Sequence, residues 1–380
     1  MARYRFDEIA NNCIEKKKPE ENDRLLYIGL EHLDTGSLKV SRWGSDVPLK
    51  GEKLVMHRGD VLLGKRNAYL RRAAIAPHDG IFSAHGMVLQ PKENVIEKSF
   101  FPLFIASDYF FDTAVRISVG SLSPTINWKD LRVQEFELPD LEAQKKLADL
   151  LWSMIETKES YNTLINATDE LVKARFVEMF GDMDDNPKEW RESTLGKECY
   201  YIKDGPHKSP PYLDNNSGIP FISTRNIVNG EGIDWSTAKY ISEQDYLECI
   251  KKCKPEKGDI LYSKGGTTGI AKYVDTDRKF ANWVHVAVLK FGKNLNGKFL
   301  ERMLNMDYCY RQSQQLTKGI ANRDFVLSAI AQVKIFIPDL DLQEKYVKFV
   351  EQVDKSKSAL QEAITALDKT YKKIISENLG

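Results

Sequence analysis

The chain has 380 residues, of which 42% are apolar and 29% are charged, and its 55 basic and 55 acidic side chains give a formal net charge of zero. This composition excludes a globally disordered chain, and the length predicts two or three domains. A run of about 18 apolar residues is absent, which excludes a membrane-spanning helix. The charged N-terminal segment lacks a signal peptide and the five cysteines are scattered, so we expect a cytoplasmic protein.

Charge is distributed unevenly along the chain. Residues 1–139 carry 20 basic and 19 acidic side chains, whereas residues 140–186 carry 5 and 11. Residues 187–337 carry 23 and 17, and residues 338–380 carry 7 and 8. A net charge of zero argues against a nucleic-acid-binding protein, whose surface is normally basic. The excess of six positive charges in residues 187–337 weakens that argument.

Short motifs in the first half of the chain recur 199 positions later. Leu138–Gln144 resembles Ile337–Gln343, and Gly59–Leu62 resembles Gly258–Leu261. Several matches at one offset indicate two copies of one unit of about 190 residues, and therefore a molecule with pseudo-two-fold symmetry.

Each copy begins with a globular part, residues 1–139 and residues 187–337. Short apolar runs bounded by Gly, Asn, Asp and Pro predict strands, and residues 100–115 and 298–316 predict helices between them. The sequence therefore predicts a mixed α/β domain of the α+β class in each copy.

Each globular part is followed by a predicted long helix, residues 140–186 and residues 338–380. Apolar residues recur in alternating steps of four and three, which is the spacing of a coiled-coil seam. We expect the two helices to pack against each other, antiparallel, and to act as a spacer; the alternative is that each apolar stripe packs on its own globular domain. The principal seam positions are Leu151, Met154, Lys158, Tyr161 and Ile165 in the first helix, and Val350, Val353, Lys357, Leu360 and Ile364 in the second.

Motifs for catalysis are weak. Ser209–Tyr212 resembles the catalytic tetrapeptide of DNA amino-methyltransferases, but no glycine-rich turn for S-adenosylmethionine accompanies it. Ser263–Gly269 lacks the Gly-Lys-Ser/Thr ending of a phosphate-binding loop. The six histidines show no spacing typical of metal ligands, so no catalytic or metal site is predicted.

Polar and basic residues recur instead in corresponding loops of the two copies. Arg, Lys, Asn and Thr side chains are those that contact phosphates and base edges, although each is more often a solvated surface residue. The candidate DNA-binding residues are Lys65, Arg66, Asn67, Arg71, Arg72 and His85 in the first copy, and His207, Lys208, Arg225, Asn226, Lys264, Thr267, Thr268, Lys272, His285, Asn322 and Arg323 in the second.

This arrangement resembles the specificity subunit of type I restriction-modification systems. The duplicated layout carries the resemblance over essentially the whole chain, and the second copy matches best. Its matching segments are Thr194–Gly196, Asp204–His207, Gly218–Ile222, Arg225–Ile227, Gly258–Leu261 and Ile337–Leu340 with Gln343; the first copy lacks a clear Gly-x-His segment near residues 12–20.

The resemblance implies two target-recognition domains separated by a pair of long antiparallel helices. Each domain would read one half of a bipartite site in double-stranded DNA, and the helices would dock two modification subunits. Those prokaryotic partners, with restriction subunits where present, would hold S-adenosylmethionine, ATP and Mg²⁺, whereas this chain would bind no cofactor and catalyse no reaction. The alternatives are a DNA adenine methyltransferase and an interaction scaffold that does not recognise DNA.

Overall fold

The computed structural model of the chain describes residues 1–214, 217–230, 232–319 and 323–379. The chain divides into two units: Met1–Thr163 with Leu360–Gly380, and Leu164–Ala359. Among the described residues, no helix is both long enough and apolar enough to cross a membrane. Each unit combines a globular domain with one part of each long helix, so the unit boundaries fall inside the helices.

The first unit contains two sheets, ordered β2-β9-β6-β7 and β3-β5-β8-β4, and a separate pairing of β1 with β10. All neighbours are antiparallel except β4 and β8. The strands are β1 (Ala2–Arg5), β2 (Ala10–Cys13), β3 (Lys16–Lys17), β4 (Tyr27–Ile28), β5 (Lys53–Met56), β6 (Val61–Gly64), β7 (Ala73–Ile75), β8 (Gly80–Phe82), β9 (Gly86–Pro91) and β10 (Glu135–Leu138). The helices are α1 (Phe6–Ile9), α2 (Phe101–Ala106), α3 (Asp108–Arg116), α4 (Trp128–Leu131) and the long α5 (Leu141–Phe180).

The second unit repeats the four-stranded sheet, ordered β12-β18-β15-β16, and the separate pairing, here of β11 with β19, whereas the described strands of its other sheet are ordered β14-β13-β17. The parallel pair recurs as β13 and β17. The strands are β11 (Arg191–Thr194), β12 (Cys199–Asp204), β13 (Ile219–Ile222), β14 (Lys239–Ile241), β15 (Ile260–Ser263), β16 (Ala271–Tyr273), β17 (Ala281–Asn282), β18 (Val286–Phe291) and β19 (Lys334–Ile337). The helices are α6 (Leu195–Glu198), α7 (Arg225–Val228), α8 (Glu243–Lys252), α9 (Gly297–Leu304), α10 (Asp307–Leu316), α11 (Leu327–Ile330) and the long α12 (Leu340–Asn378).

Strand β6 shows why strands of this chain consist of consecutive apolar residues and do not alternate between apolar and polar ones. Val61 and Leu63 point into the core that contains the helices, whereas Leu62 points into a second core between the sheets. Successive side chains of a strand point to opposite faces, so a strand that is buried on both faces must be apolar throughout. Strand β15 follows the same rule in the second unit, where Leu261 faces away from the core that holds Ile260.

Each segment predicted as one helix between the strands is in fact two. Residues 100–115 form α2 and α3, and residues 298–316 form α9 and α10. The backbone is extended at the junctions, Ser107 and Met306, with φ −71° and ψ 153° at both. The Ser107 hydroxyl accepts a hydrogen bond from the Phe110 amide at 3.2 Å, which caps the new helix.

The predicted seam of the long helices is confirmed within each unit. In α5, every predicted position from Leu151 to Ile165 is buried or half-buried, and most of the positions between them are exposed. In the first unit, the Lys158 ammonium lies 2.6 Å from the Asp368 carboxylate of α12. In the second unit, the Lys357 ammonium lies 2.7 Å from the Asp169 carboxylate of α5. Each lysine that interrupts the apolar seam is therefore neutralised by an aspartate of the other helix.

The direction of the helix pair follows from its contacts. In the first unit, Leu151 near the start of α5 shares a core with Ile375 near the end of α12, and Lys158 pairs further back with Asp368. As residue numbers increase along α5, the residue numbers of its contacts in α12 decrease. The two helices therefore run in opposite directions, and the predicted antiparallel packing is confirmed. The mixed α/β class and the internal repeat are confirmed as well.

A buried glutamine fastens the start of each long helix to its globular domain. Gln144 is 0% exposed; its amide group donates to the Val95 and Pro139 carbonyls at 3.1 and 2.8 Å, and its oxygen accepts from the Glu97 amide at 2.8 Å. Gln343, 199 positions later, is also 0% exposed and repeats these three bonds at the same distances. The sequence motif that recurs 199 positions later therefore makes the same hydrogen-bonded attachment of helix to globular domain in both copies.

Glu198 links strand β11 to the loop that contains Asn294 through hydrogen bonds. Its carboxylate accepts hydrogen bonds from Arg191 at 2.8 Å, Ser193 at 2.5 Å and Asn294 at 2.7 Å. The Arg191 guanidinium, followed by the other donors, stabilises the charged form and lowers the pKa of Glu198 to about 2.

Candidate nucleic-acid interface

The first unit brings two loops together where strand β6 ends. The Ile126 amide donates to the Lys65 carbonyl at 2.9 Å, and the Ala68 amide donates to the Pro124 carbonyl at 3.0 Å. Val119 and Thr125 exchange backbone hydrogen bonds at 3.0 and 2.9 Å, which closes a hairpin over residues 119–125. The candidate residues that follow β6 therefore lie beside this hairpin.

Three candidate residues of the first unit lie on this surface. Arg66 and His85 are exposed, and Lys65 is half-buried. Burial, followed by repulsion from Lys16, lowers the pKa of Lys65. Among the described residues, no carboxylate forms an ion pair with Lys65 or Arg66, so both charges remain available to a negatively charged partner.

Of the other three candidates of the first unit, Arg71 and Arg72 are engaged by the protein through their side chains. The Arg71 guanidinium lies 2.5 Å from both the Asp108 and the Asp112 carboxylates. Arg72 donates to the Leu30 carbonyl at 2.7 Å. Asn67 and Arg71 adopt left-handed backbone conformations with φ 57° and 47°, so they shape the loop. Their contacts with DNA stay a prediction.

The second unit builds the same junction from Lys264. The Lys264 amide donates to the His285 carbonyl at 2.9 Å, and the Phe325 amide donates to the Lys264 carbonyl at 2.7 Å. The Lys264 side chain is only 8% exposed, with its ammonium 3.1 Å from Asp324 and 3.5 Å from Asp204. Lys264 is therefore held inside the domain, unlike its counterpart Lys65.

His285 covers the loop next to Lys264. Its ring stacks on Trp283 with centroids 4.3 Å apart, and a Cβ placed on Gly265 would lie 1.9 Å from its Nδ1 atom. Burial, followed by the positive charge of Lys264, lowers the pKa of His285. The imidazole is thereby favoured in its neutral form, which can both donate and accept a hydrogen bond.

The remaining candidates of the second unit differ in exposure. Asn226 is 2% exposed and its amide group bonds to Ser223, Asp234 and Thr237, so the protein uses its hydrogen-bonding capacity. Thr268 is buried, with its hydroxyl 3.0 Å from that of Thr317. The Lys272 ammonium donates to the Gly230 carbonyl at 2.6 Å, and Arg323 donates to Gln314. His207, Lys208, Arg225 and Thr267 are exposed, and Asn322 lies outside the described residues.

Sequence reasoning did not identify several residues that shape these surfaces. Asp204 and Asp324 neutralise Lys264, and Trp283 supports His285. In the first unit, Tyr69 is 57% exposed and Leu122 is 95% exposed beside the candidate cations. A search confined to polar and basic residues could not find apolar side chains.

The predicted spacer and docking residues occupy the helix seam. Leu151 is buried, and the other nine positions are buried or half-buried. Because these residues face the opposite helix, they are suited to fix the helix pair. Exposed apolar residues of α5 lie elsewhere on the helix, at Leu141, Leu150, Leu164, Leu171 and Val177.

The model of a protein family described as the type I restriction modification DNA specificity domain matches residues 4–168 and again residues 187–367. The type I restriction enzyme MjaIX specificity subunit of Methanocaldococcus jannaschii is 24% identical over 335 residues, covering 83% of this chain and 75% of that protein. The putative MjaX specificity subunit of the same organism is 21% identical over 401 residues, covering 97% and 89%.

Solved structures share the fold. A chain from a study of complex assembly and conformational transition of the type I R-M system aligns with a TM-score of 0.64 at 20% identity, covering 99% of this chain and 97% of that chain. The type I restriction-modification S subunit from M. genitalium aligns with a TM-score of 0.60 at 15% identity, covering 100% and 96%.

Proposed function

We propose that this chain, which belongs to the family of type I restriction modification DNA specificity domains, reads one half of a bipartite DNA site with each of its two units. Specificity subunits of this family are non-catalytic DNA-recognition components, and this chain is such a component. The observation that supports two separate reading surfaces is the repeated junction, in which Lys65 and Lys264 hold the same place after strands β6 and β15.

The charge of the two surfaces suggests how they share the binding of DNA. Residues 187–337 carry an excess of six positive charges and can supply much of the salt-dependent attraction to phosphates. Residues 1–139 have an excess of only one positive charge, so the first unit depends on local cations, Lys65 and Arg66. Exposed basic and polar side chains then contact base edges, which carry the sequence information.

The long helices serve as a spacer and as a docking surface for two modification subunits. Residues 140–186 have an excess of six negative charges, which phosphate repels, so the outer face of α5 is suited to protein partners. S-adenosylmethionine, ATP and Mg²⁺ belong to the partner subunits in this proposal, and restriction subunits join where the organism encodes them.

Loop variants of the complex with its modification subunits test the proposal. Combining Arg66→Ala with His85→Ala removes exposed groups of the first unit, and combining Lys208→Ala with Thr267→Ala removes exposed groups of the second. Each pair should relax base selectivity in one half-site and leave the other unchanged, as measured by the sequences that become methylated. Lys98→Ala removes a side chain that is 73% exposed and belongs to neither junction, and it is the control. Equal relaxation of both half-sites by either pair would contradict the assignment.

A further inference from the structure

The hairpin of residues 119–125 carries an uncovered apolar side chain at its tip. Leu122 is 95% exposed, and Val119 at the base of the hairpin is 63% exposed. Single exposed leucines are common on protein surfaces and need no explanation by themselves. This leucine, however, lies at the tip of a hairpin whose base is closed by backbone hydrogen bonds, and the adjoining loop carries the exposed Tyr69.

The hairpin is held on both sides by hydrogen bonds. Val119 and Thr125 bond to each other through their backbones, and the Ala68 amide bonds to the Pro124 carbonyl at 3.0 Å. The Thr125 hydroxyl donates to the Ser123 carbonyl at 2.9 Å. A loop fixed in this way presents Leu122 without a large entropic cost of ordering on binding.

The charge beside the hairpin fits a polyanionic partner. Arg66 forms an isolated β-bridge with Thr125, so the exposed Arg66 side chain extends from a backbone position next to the hairpin. Lys65 precedes it, and no described carboxylate pairs with either residue. An apolar tip flanked by cations matches duplex DNA, in which phosphates surround base edges that include one apolar group, the thymine methyl.

Building on the proposed function, we infer that this hairpin enters the major groove and that Leu122 contacts the C5-methyl group of a thymine. Two bridged segments of chain lie about 5 Å apart, and side chains widen such a hairpin to about 10 Å. The major groove, about 12 Å wide, admits a hairpin of this width, whereas the minor groove, about 6 Å wide, does not. Gly120, Ser121 and Ser123 are small, so they let Leu122 reach a base edge.

Deoxyuridine, which lacks only the C5-methyl group of thymine, is the probe. Duplexes containing the site are made with each thymine of the first half-site replaced singly by deoxyuridine, and binding is measured for the complex of the full chain with its modification subunits. Wild type should bind one of these duplexes about fourfold more weakly, the effect of one buried carbon group. Leu122→Ala should weaken binding to the thymine duplex by about tenfold and abolish the difference at that position.

Two controls separate this contact from general effects on the protein. Leu247→Ala removes a leucine of α8 that is 50% exposed in the second unit, and it should keep the fourfold difference. Thymine replacements in the second half-site should be insensitive to Leu122→Ala. The melting temperature of Leu122→Ala should equal that of wild type, because the side chain makes no buried contact.

The outcomes distinguish this inference from the proposed function. Selective binding with no deoxyuridine effect, or an effect that persists in Leu122→Ala, overturns the inference and leaves DNA recognition by two units intact. A first half-site without thymine on either strand also overturns it. Failure of the wild-type complex to select any sequence overturns the proposed function, and the inference with it.

Discussion

The buried glutamine at the start of each long helix offers a sharp test of the fold. Gln144→Ala removes a side chain that is 0% exposed and three hydrogen bonds to the backbone of Val95, Glu97 and Pro139. A typical hydrogen bond contributes about 1 kcal/mol net, and a buried group left without its partner costs about 1–3 kcal/mol. We therefore expect Gln144→Ala to lower the free energy of unfolding of the first unit by about 3 kcal/mol.

The assay must resolve the two units, because a chain with two units need not unfold in one step. Hydrogen exchange followed by mass spectrometry measures protection separately in peptides covering residues 93–100 and 139–147. Gln144→Ala should increase exchange in both peptides, and Gln343→Ala should do the same at the equivalent segments of the second unit. Gln361→Ala changes an exposed position of α12 in the first unit and should alter stability by less than about 0.5 kcal/mol. Equal effects of Gln144→Ala and Gln361→Ala would refute the reasoning.

Three further predictions concern pH, the seam and the spacer. Because the pKa of Glu198 is lowered from 4.5 to about 2, its carboxylate stabilises the second unit above pH 4.5 and loses that contribution as pH falls towards 2. Glu198→Gln should therefore be less stable at neutral pH and lose less stability on acidification in a denaturation series; an unchanged acid limb would contradict this. Lys357→Asp should destabilise the helix pair through repulsion from Asp169, and adding Asp169→Lys should restore part of the melting temperature, whereas a double variant no better than the single one would contradict the pairing. Four residues inserted in α5 after Thr163 and four in α12 before Leu360 lengthen each helix by about 6 Å. Methylation-site sequencing should then reveal a changed gap and unchanged half-sites, and the reverse result would contradict a spacer role.

The long helices could be predicted from the sequence because their pattern is local and periodic. A seam repeats every 3.5 residues whatever the tertiary surroundings, so positions such as Lys158 and Lys357 could be placed before any contact was known. The breaks at Ser107 and Met306 could not be predicted in this way, because each depends on one residue with an extended backbone and not on a periodic pattern. The second sheets of the two units differ, because β5 pairs with β8 whereas β14 pairs with β13. The repeated sequence motifs do not predict this difference in strand pairing.

The candidate recognition residues could be placed only in part. Their recurrence 199 positions apart predicted that Lys65 and Lys264 occupy equivalent loops, and both lie at the same junction. Their different surroundings could not be predicted, because Lys264 is neutralised by Asp204 and Asp324, which are 60 positions away in the chain. Thr125, at the position equivalent to Asp324, carries no charge to neutralise Lys65. Equivalent positions in a repeat therefore share a backbone environment and need not share an electrostatic one.

The central claim is that the two units read two separated half-sites in DNA. Methylome sequencing of cells that express this chain with its modification subunits tests it most directly. The account predicts a new methylated motif made of two specified half-sites separated by a gap of constant length and unspecified sequence. A single continuous motif, or a methylation pattern identical to that of cells without this chain, would contradict the claim.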